Sequence, residues 1–172
     1  MVTDWLDRVS LLGGRTLRVF AGSTPKGITE EQCRKWTIDS LKATCEHAAK
    51  VGVYVALENH GGITATAEQL ISLVKAVDHP WFGVNLDSGN FKTEDPYQDL
   101  EKLAPYAVVT QFKSEIQPKG QPKQKADYNR LVSILRKANY SGYVILEYEA
   151  ADEPLEAIPV ELKAIAKSLR PV

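Results

Sequence analysis

The amino-acid sequence predicts an α/β fold in which five parallel strands are each followed by a helix. Short apolar runs alternate along the 172 residues with longer segments of helical periodicity, a pattern typical of βαβ units. The apolar runs are nearly continuous, as expected for strands covered on their faces. With 44% hydrophobic and 25% charged residues, the composition is that of a globular protein. We expect one domain over residues 1–172.

The first half of the chain contains clear signals for helix starts and ends. Thr29 and Thr66 each precede a Gln by three residues, the spacing of a capping box. We expect Gly52 to end the first of these helices and Pro80 to end the second, because neither residue favours continuation of a helix. The predicted elements are a helix at residues 2–12, a strand at 17–22, a helix from Thr29 to about 50, a strand at 53–57 and a helix from Thr66 to about 77.

The second half repeats the alternation of strand and helix. One helix places Tyr128, Leu131, Val132 and Leu135 on a single face, the spacing of an amphipathic helix. The stretch 113–125 leans basic and is broken by proline and glycine, so we expect a solvated loop there. The other predicted elements are strands at 82–86, about 107–112 and 143–146, and helices at about 96–103, 127–138 and 154–169.

Charge and composition exclude several classes of protein. A net charge of −1 argues against a general nucleic-acid or membrane-surface binder, since both need clustered positive charge. No apolar stretch approaches 18 residues and no signal peptide is visible. Cys33 and Cys45 fall in one predicted helix, where twelve residues of rise separate them by about 18 Å, beyond disulfide reach. We therefore expect a cytoplasmic protein with two reduced cysteines.

Oxygen-bearing side chains stand at the carboxyl ends of four consecutive strands, namely Glu58, Asp87, Gln111 and Glu147. Ligands of parallel α/β folds bind on this side of the sheet. Three carboxylates in one layer repel one another, and a hard divalent cation such as Mn²⁺ or Mg²⁺ removes that conflict. Each acid could instead cap the following helix, but Glu is a poor cap. We therefore interpret the four residues as metal ligands.

Three further residues are candidates for binding a substrate. His60 precedes two glycines, a pattern of a tight turn near a ligand. Lys113 lies two residues beyond Gln111 and therefore on the same face of the strand. Asn90 follows Asp87 in a polar turn. A structural histidine and a solvated lysine remain the alternatives for the first two.

Four segments together resemble the sugar phosphate isomerase/epimerase family, whose fold is the xylose isomerase-like TIM barrel. The resemblance implies a divalent metal, Mn²⁺ or Mg²⁺ with Zn²⁺ or Co²⁺ as alternatives, held by Glu58, Asp87, Gln111 and Glu147. It also implies that the two glutamates act as acid and base in isomerisation or epimerisation of a sugar or sugar phosphate through an enediolate. The segments are VALENHGG at 55–62, GVNLDSGNF at 83–91, QFKSE at 111–115 and GYVILEYE at 142–149.

The chain departs from that family in two ways. The family usually has His where this chain has Gln111, and the amide oxygen is a weaker ligand. An eight-stranded barrel needs at least about 200 residues, whereas this chain supplies five strands that resemble the family's fourth strand onward. The first three βα units are then absent, and we expect a partial barrel with two open edges and an exposed apolar inner face. Pairing with another copy or another chain would cover them.

Three alternatives remain open at this stage. A non-catalytic sugar-binding module or degenerate fragment would explain Gln111 and the missing strands. An AP endonuclease of the endonuclease IV type usually needs several histidines, but of the three here His47 and His79 do not lie at strand ends. A complete five-stranded flavodoxin-like domain is disfavoured because no glycine-rich phosphate loop follows the first strand.

Overall fold

The computed structural model describes residues 2–170, in which five parallel strands form one curled sheet, a half-barrel with helices between successive strands. A short two-stranded hairpin stands apart from this sheet. The elements are α1 (Val2–Leu11), β1 (Thr16–Val19), α2 (Glu30–Val51), β2 (Tyr54–Glu58), α3 (Ala67–Val77), β3 (Phe82–Asp87), α4 (Pro96–Leu103), a 3₁₀ turn (Ala104–Tyr106), β4 (Ala107–Phe112), β5 (Glu115–Ile116), β6 (Gln124–Lys125), α5 (Tyr128–Lys137), β7 (Val144–Leu146) and α6 (Pro154–Ser168).

The strands of the main sheet lie in the order β1-β2-β3-β4-β7, all parallel. In this register Glu58 is aligned with Asn85, and Asp87 is aligned with Gln111. All six residues of the central strand β3 are buried, whereas β1 and β7 are only partly covered. The carboxyl ends of the strands therefore meet at one edge of the sheet, as the sequence predicts.

The helix boundaries confirm the capping signals. Thr29 and Thr66 each accept a hydrogen bond from the backbone of the Gln three residues later, and each Gln side chain bonds back to the cap. Gly52 adopts the left-handed conformation with φ of 70°, and its N–H donates to Ala48, which ends α2 as glycine commonly does. These local contacts fix where the helices between the strands begin and end.

Two predictions, the end of the first strand and the loop at residues 113–125, are wrong in detail. The first strand ends at Val19 and not at residue 22, because the last pair that it forms with β2 joins Val19 to Leu57. Residues 113–125 are more than a solvated loop, since β5 and β6 pair there as an antiparallel hairpin. Burial of Lys113 and Ile116 holds the start of this segment in place, and the buried Ala126 follows its end.

The half-barrel exposes apolar side chains, as expected of an open sheet. Tyr143, just before β7, is 76% exposed, Ile145 on β7 is 46% exposed, and Tyr54 is partly exposed on β2. Both cysteines lie in α2 and are free and buried. None of the helices found between residues 2 and 170 is long and apolar enough to cross a membrane.

Candidate active site

The four predicted metal ligands lie together at the carboxyl edge of the sheet. Glu58 ends β2, Asp87 ends β3, Gln111 lies near the end of β4, and Glu147 directly follows β7. Arg18 donates hydrogen bonds to Glu58, Gln111 and Glu147, and Lys113 lies between Asp87 and Glu147. The sequence pattern therefore brings the expected side chains into one cluster.

Glu58 is almost fully buried and is surrounded by hydrogen-bond partners. Its Oε2 accepts from Arg18 at 3.1 Å and from Asn85 at 2.9 Å. Its Oε1 accepts from Asn90 at 3.0 Å and lies 2.8 Å from His60 Nδ1. A buried carboxylate with this many donors is held in one orientation.

Asp87 is fully buried, and one of its carboxyl oxygens lacks a hydrogen-bond donor. Oδ1 accepts from the Gly89 N–H at 2.8 Å. Oδ2 accepts no hydrogen bond, and Lys113 Nζ lies 3.6 Å from it. Burial raises the pKa of Asp87 to about 8, although Lys113 opposes that rise. A bound cation would satisfy Oδ2 and would favour the ionised form.

Lys113 joins the acids of β3 and β7. Its Nζ lies 3.1 Å from Glu147 Oε2 and also donates to Glu149. Burial works against its charge, but these acids and Asp87 together raise the pKa of Lys113. Burial would also raise the pKa of Glu147, but the neighbouring side chains of Asp87, Lys113 and Arg18 lower it. Glu147 is therefore ionised at neutral pH, and Lys113 is a buried member of the site and not a solvated lysine.

Gln111 contributes its amide oxygen to the cluster. This oxygen accepts from Arg18 at 3.3 Å and also from Asn85 Nδ2. Asn85 thus bridges Gln111 and Glu58 across β3. The Gln oxygen faces the same side as the carboxylates, where a ligand oxygen is needed.

One nitrogen atom lies at the meeting point of three predicted ligands. Arg18 Nη1 is 3.1 Å from Glu58 Oε2, 3.3 Å from Gln111 Oε1 and 3.2 Å from Glu147 Oε1. Arg18 comes from β1, and its side chain is 40% exposed. Its guanidinium carbon lies 4.9 Å from the ring centroid of Phe20, within the range of a cation–π contact.

The rim beside Glu58 is formed by an aromatic pair. The rings of Phe20 and His60 lie 4.6 Å apart, and both side chains are substantially exposed. Gly61 and Gly62 follow with positive φ, which confirms the tight turn expected there. His60 and Asn90 both contact the same oxygen of Glu58, so these predicted substrate-binding residues lie at the cluster.

The charges of the cluster favour an additional cation. The carboxyl groups of Glu58, Asp87, Glu147 and Glu149 face two cationic side chains, from Arg18 and Lys113, and Asp87 adds a further negative charge when it ionises. Among residues 2–170 no group of three His, Cys, Asp or Glu side chains stands in position to hold a metal ion. The two cations lie between the acids in this arrangement. The oxygen-only donor set and the unpartnered Asp87 Oδ2 fit a hard divalent cation.

Three residues that position the site were not among the predicted site residues. Arg18 and Asn85 are polar residues in the middle of otherwise apolar strands, and this interruption was a usable signal. Asn59 is buried and fixes the end of β3 through two hydrogen bonds with the Asp87 main chain. The sequence gives no local signal for that role.

Comparison with known proteins agrees with the fold described above. A family described as the xylose isomerase-like TIM barrel matches residues 1–169. The 3-dehydroshikimate dehydratase of Bacillus anthracis is 30% identical over 101 residues. That match covers 57% of this chain and 36% of the relative's length, so the chain spans only about a third of the curated protein it matches.

Solved structures show the same fold. The 3-keto-D-glucoside 4-epimerase of E. coli superposes with a TM-score of 0.79 at 20% identity, over 96% of this chain and 69% of the other. A xylose isomerase-like TIM barrel protein of Mycobacterium smegmatis in complex with magnesium gives a TM-score of 0.77 at 16% identity, over 98% and 66%. Both solved chains extend beyond the part that this chain covers.

Proposed function

The chain belongs to the xylose isomerase-like TIM barrel family, and on this basis we propose that it is a divalent-metal-dependent isomerase or epimerase of a sugar or sugar phosphate. The observation that carries the proposal is the convergence of Glu58, Gln111 and Glu147 on one point, with the unpartnered oxygen of Asp87 in the same cluster. The sugar epimerase and the magnesium-bound barrel protein of the same fold support it.

Glu58, Asp87, Gln111 and Glu147 would hold the cation, which we propose to be Mn²⁺ or Mg²⁺. The donors are carboxylate and amide oxygens, the ligands that these ions prefer. When bound, such an ion polarises a carbonyl group and so makes the neighbouring C–H more acidic.

Glu58 and Glu147 are the proposed acid/base pair. Both carboxylates lie within 3.2 Å of one atom, Arg18 Nη1, so they meet at a common point although they come from the ends of different strands, β2 and β7. The lowered pKa of Glu147 keeps it ionised and able to accept a proton from carbon. Transfer back to the opposite face or the neighbouring carbon would then epimerise or isomerise the sugar.

His60, Asn90 and Lys113 are the proposed substrate-binding residues. His60 is substantially exposed at the rim beside Phe20, where a sugar hydroxyl could reach it. Asn90 and Lys113 each already hold a carboxylate of the cluster. They would therefore orient the acids and the substrate together.

A second candidate reaction is dehydration. The relative that is 30% identical is a dehydratase, and loss of water from a hydroxy ketone also begins with removal of a proton beside a carbonyl. Glu147, the proposed base, could remove that proton. A screen should therefore include hydroxylated cyclic ketones beside ketoses, aldoses and their phosphates.

The first test is calorimetric titration of the metal-stripped chain with Mn²⁺, comparing wild type, Glu147→Gln and Glu101→Gln. Glu101 is an exposed acid that pairs with Lys137 on the helices and serves as the matched control. We expect one-to-one binding that weakens about tenfold or more in Glu147→Gln and is unchanged in Glu101→Gln. Glu147→Gln should also lower kcat on any substrate found by about a hundredfold or more.

Failure of all three proteins to bind Mn²⁺, Mg²⁺, Zn²⁺ or Co²⁺ while folded would contradict metal dependence. It would favour the non-catalytic sugar-binding alternative instead. Full activity of Glu147→Gln would contradict the assignment of this residue as acid or base.

A further inference from the structure

Arg18 and a divalent cation cannot both occupy the centre of the site. The three oxygens that surround Arg18 Nη1 at 3.1–3.3 Å belong to three proposed metal ligands. Divalent cations bind oxygens at roughly 2.0–2.6 Å, which draws the same three oxygens around one point. A guanidinium nitrogen at that point would be a like charge in contact with the ion.

The Arg18 side chain can move into solvent when it leaves that point. Its side chain is 40% exposed, so the guanidinium can be hydrated without burying an unpaired charge. Its guanidinium carbon already lies 4.9 Å from the centroid of the half-exposed Phe20 ring, and that contact can persist. Lys113 differs, because it is buried and contacts Glu147 through the other oxygen, Oε2.

We propose that Arg18 is a built-in competitor for the metal ion: its guanidinium neutralises Glu58 and Glu147 in the metal-free chain and is displaced when a divalent cation binds. This inference rests on the proposed metal dependence. The competition lowers the apparent affinity of the site, because only chains in which Arg18 has withdrawn can bind the ion. In the metal-free chain the Arg18 guanidinium also reduces the repulsion between the acids of the site.

Gln111 suits this exchange. Its amide oxygen accepts from Arg18 and from Asn85 at once, which an amide oxygen with two lone pairs can do. A histidine at this position would offer a single lone pair when neutral and would repel Arg18 when protonated. The amide oxygen of Gln111 and the guanidinium of Arg18 are therefore chemically matched.

The test compares Mn²⁺ binding by the metal-stripped wild type, Arg18→Met and Arg130→Met. Arg130 is the matched control, because its guanidinium lies 4.2 Å from the Tyr97 ring centroid and 3.5 Å from Asp95, away from the site. We expect Arg18→Met to bind Mn²⁺ about tenfold more tightly than wild type if Arg18 occupies the site in about nine chains of ten. Arg130→Met should bind as wild type does.

A second readout is thermal unfolding with and without Mn²⁺. Arg18→Met should melt below wild type when metal-free, because the acids lose a counter-ion, and should gain more from saturating Mn²⁺. If Arg18→Met fails to fold, Arg18→Gln replaces it, since the shorter neutral amide removes the charge and keeps a donor.

The outcomes separate this inference from the proposed function. Equal or weaker Mn²⁺ binding by a folded Arg18 variant would overturn the competition while metal dependence stands. Binding by the variant alone would support the competition and show that Arg18 excludes the ion from wild type. No binding by either protein would overturn both.

Discussion

The side-chain amide of Asn59 forms two hydrogen bonds with the main chain of Asp87, each of 2.9 Å. Its Nδ2 donates to the carbonyl and its Oδ1 accepts from the N–H, so both peptide groups at the end of β3 are satisfied by one buried side chain. Asn59 directly follows Glu58 of β2. This contact therefore fixes the relative positions of two proposed metal ligands on neighbouring strands.

Asn59→Ala should destabilise the chain by about 2–4 kcal/mol, because two buried backbone groups lose their partners. Urea unfolding followed by circular dichroism measures the change. Asn129→Ala is the control, since Asn129 is exposed on α5 and Ala is the better helix former. Equal losses of stability in the two variants would contradict the structural role of Asn59.

The stability of the metal-free chain should fall as the pH rises from about 5 to 8. Burial raises the pKa of Asp87 to about 8 in the folded chain from its ordinary value of 3.8. The folded state thus binds a proton that the unfolded state releases above its own pKa, and this contribution disappears as the pH passes the folded value. Asp87→Asn should flatten the profile of urea midpoints over this range, measured with a chelator present.

A profile that is equally steep in Asp87→Asn would show that another group carries the proton. Saturating Mn²⁺ should reverse the trend for wild type if the proposed site is correct, because the cation favours the ionised carboxylate.

Tyr128→Phe should cost about 1–3 kcal/mol of stability. The Tyr128 hydroxyl donates to the buried Glu161 carboxylate at 2.6 Å, and within residues 2–170 the one ion pair of that acid is with Lys125, at 3.4 Å. The control is Tyr143→Phe, since Tyr143 is 76% exposed and its change should stay within about 0.5 kcal/mol. Equal stabilities of the two variants in urea would show that Glu161 does not depend on Tyr128.

Cys45 should resist alkylation in the folded chain. It is fully buried, and burial raises the pKa of its thiol to about 12, so only about one thiol in ten thousand is ionised at pH 8. Peptide mass spectrometry after N-ethylmaleimide treatment should find modified Cys45 only when urea is present. Cys33, which retains slight exposure, should react first. Rapid labelling of Cys45 in native buffer would indicate that α2 opens readily.

Local signals were enough to predict most of the fold. The capping boxes at Thr29 and Thr66 act within a single turn of helix, and α4 and β4 have the predicted bounds. The hairpin of β5 and β6 was missed because each strand has two residues, too few to show a period. Its position depends on burial of Ile116, which only the folded chain determines.

The four proposed ligands were predictable because strand ends recur at one edge of a parallel sheet. The charge of Arg18 interrupts an apolar strand, but the sequence does not identify its partners Glu58, Gln111 and Glu147, which are 40 to 129 residues away along the chain. No pattern within β1 indicates that its side chain reaches across the sheet. The curl of the sheet brings these groups together, and periodicity in the sequence does not encode that curl.

The contact between Arg18 and Glu147 also links the two outer strands of the sheet. Arg18 lies on one outer strand of the sheet and Glu147 follows the other, yet their side chains meet at 3.2 Å. Five strands laid flat would place the outer two about 19 Å apart, so this ion pair forms only because the half-barrel is curled. Because dissolved ions weaken partly exposed charge pairs, we expect a higher salt concentration to loosen this link across the mouth of the half-barrel.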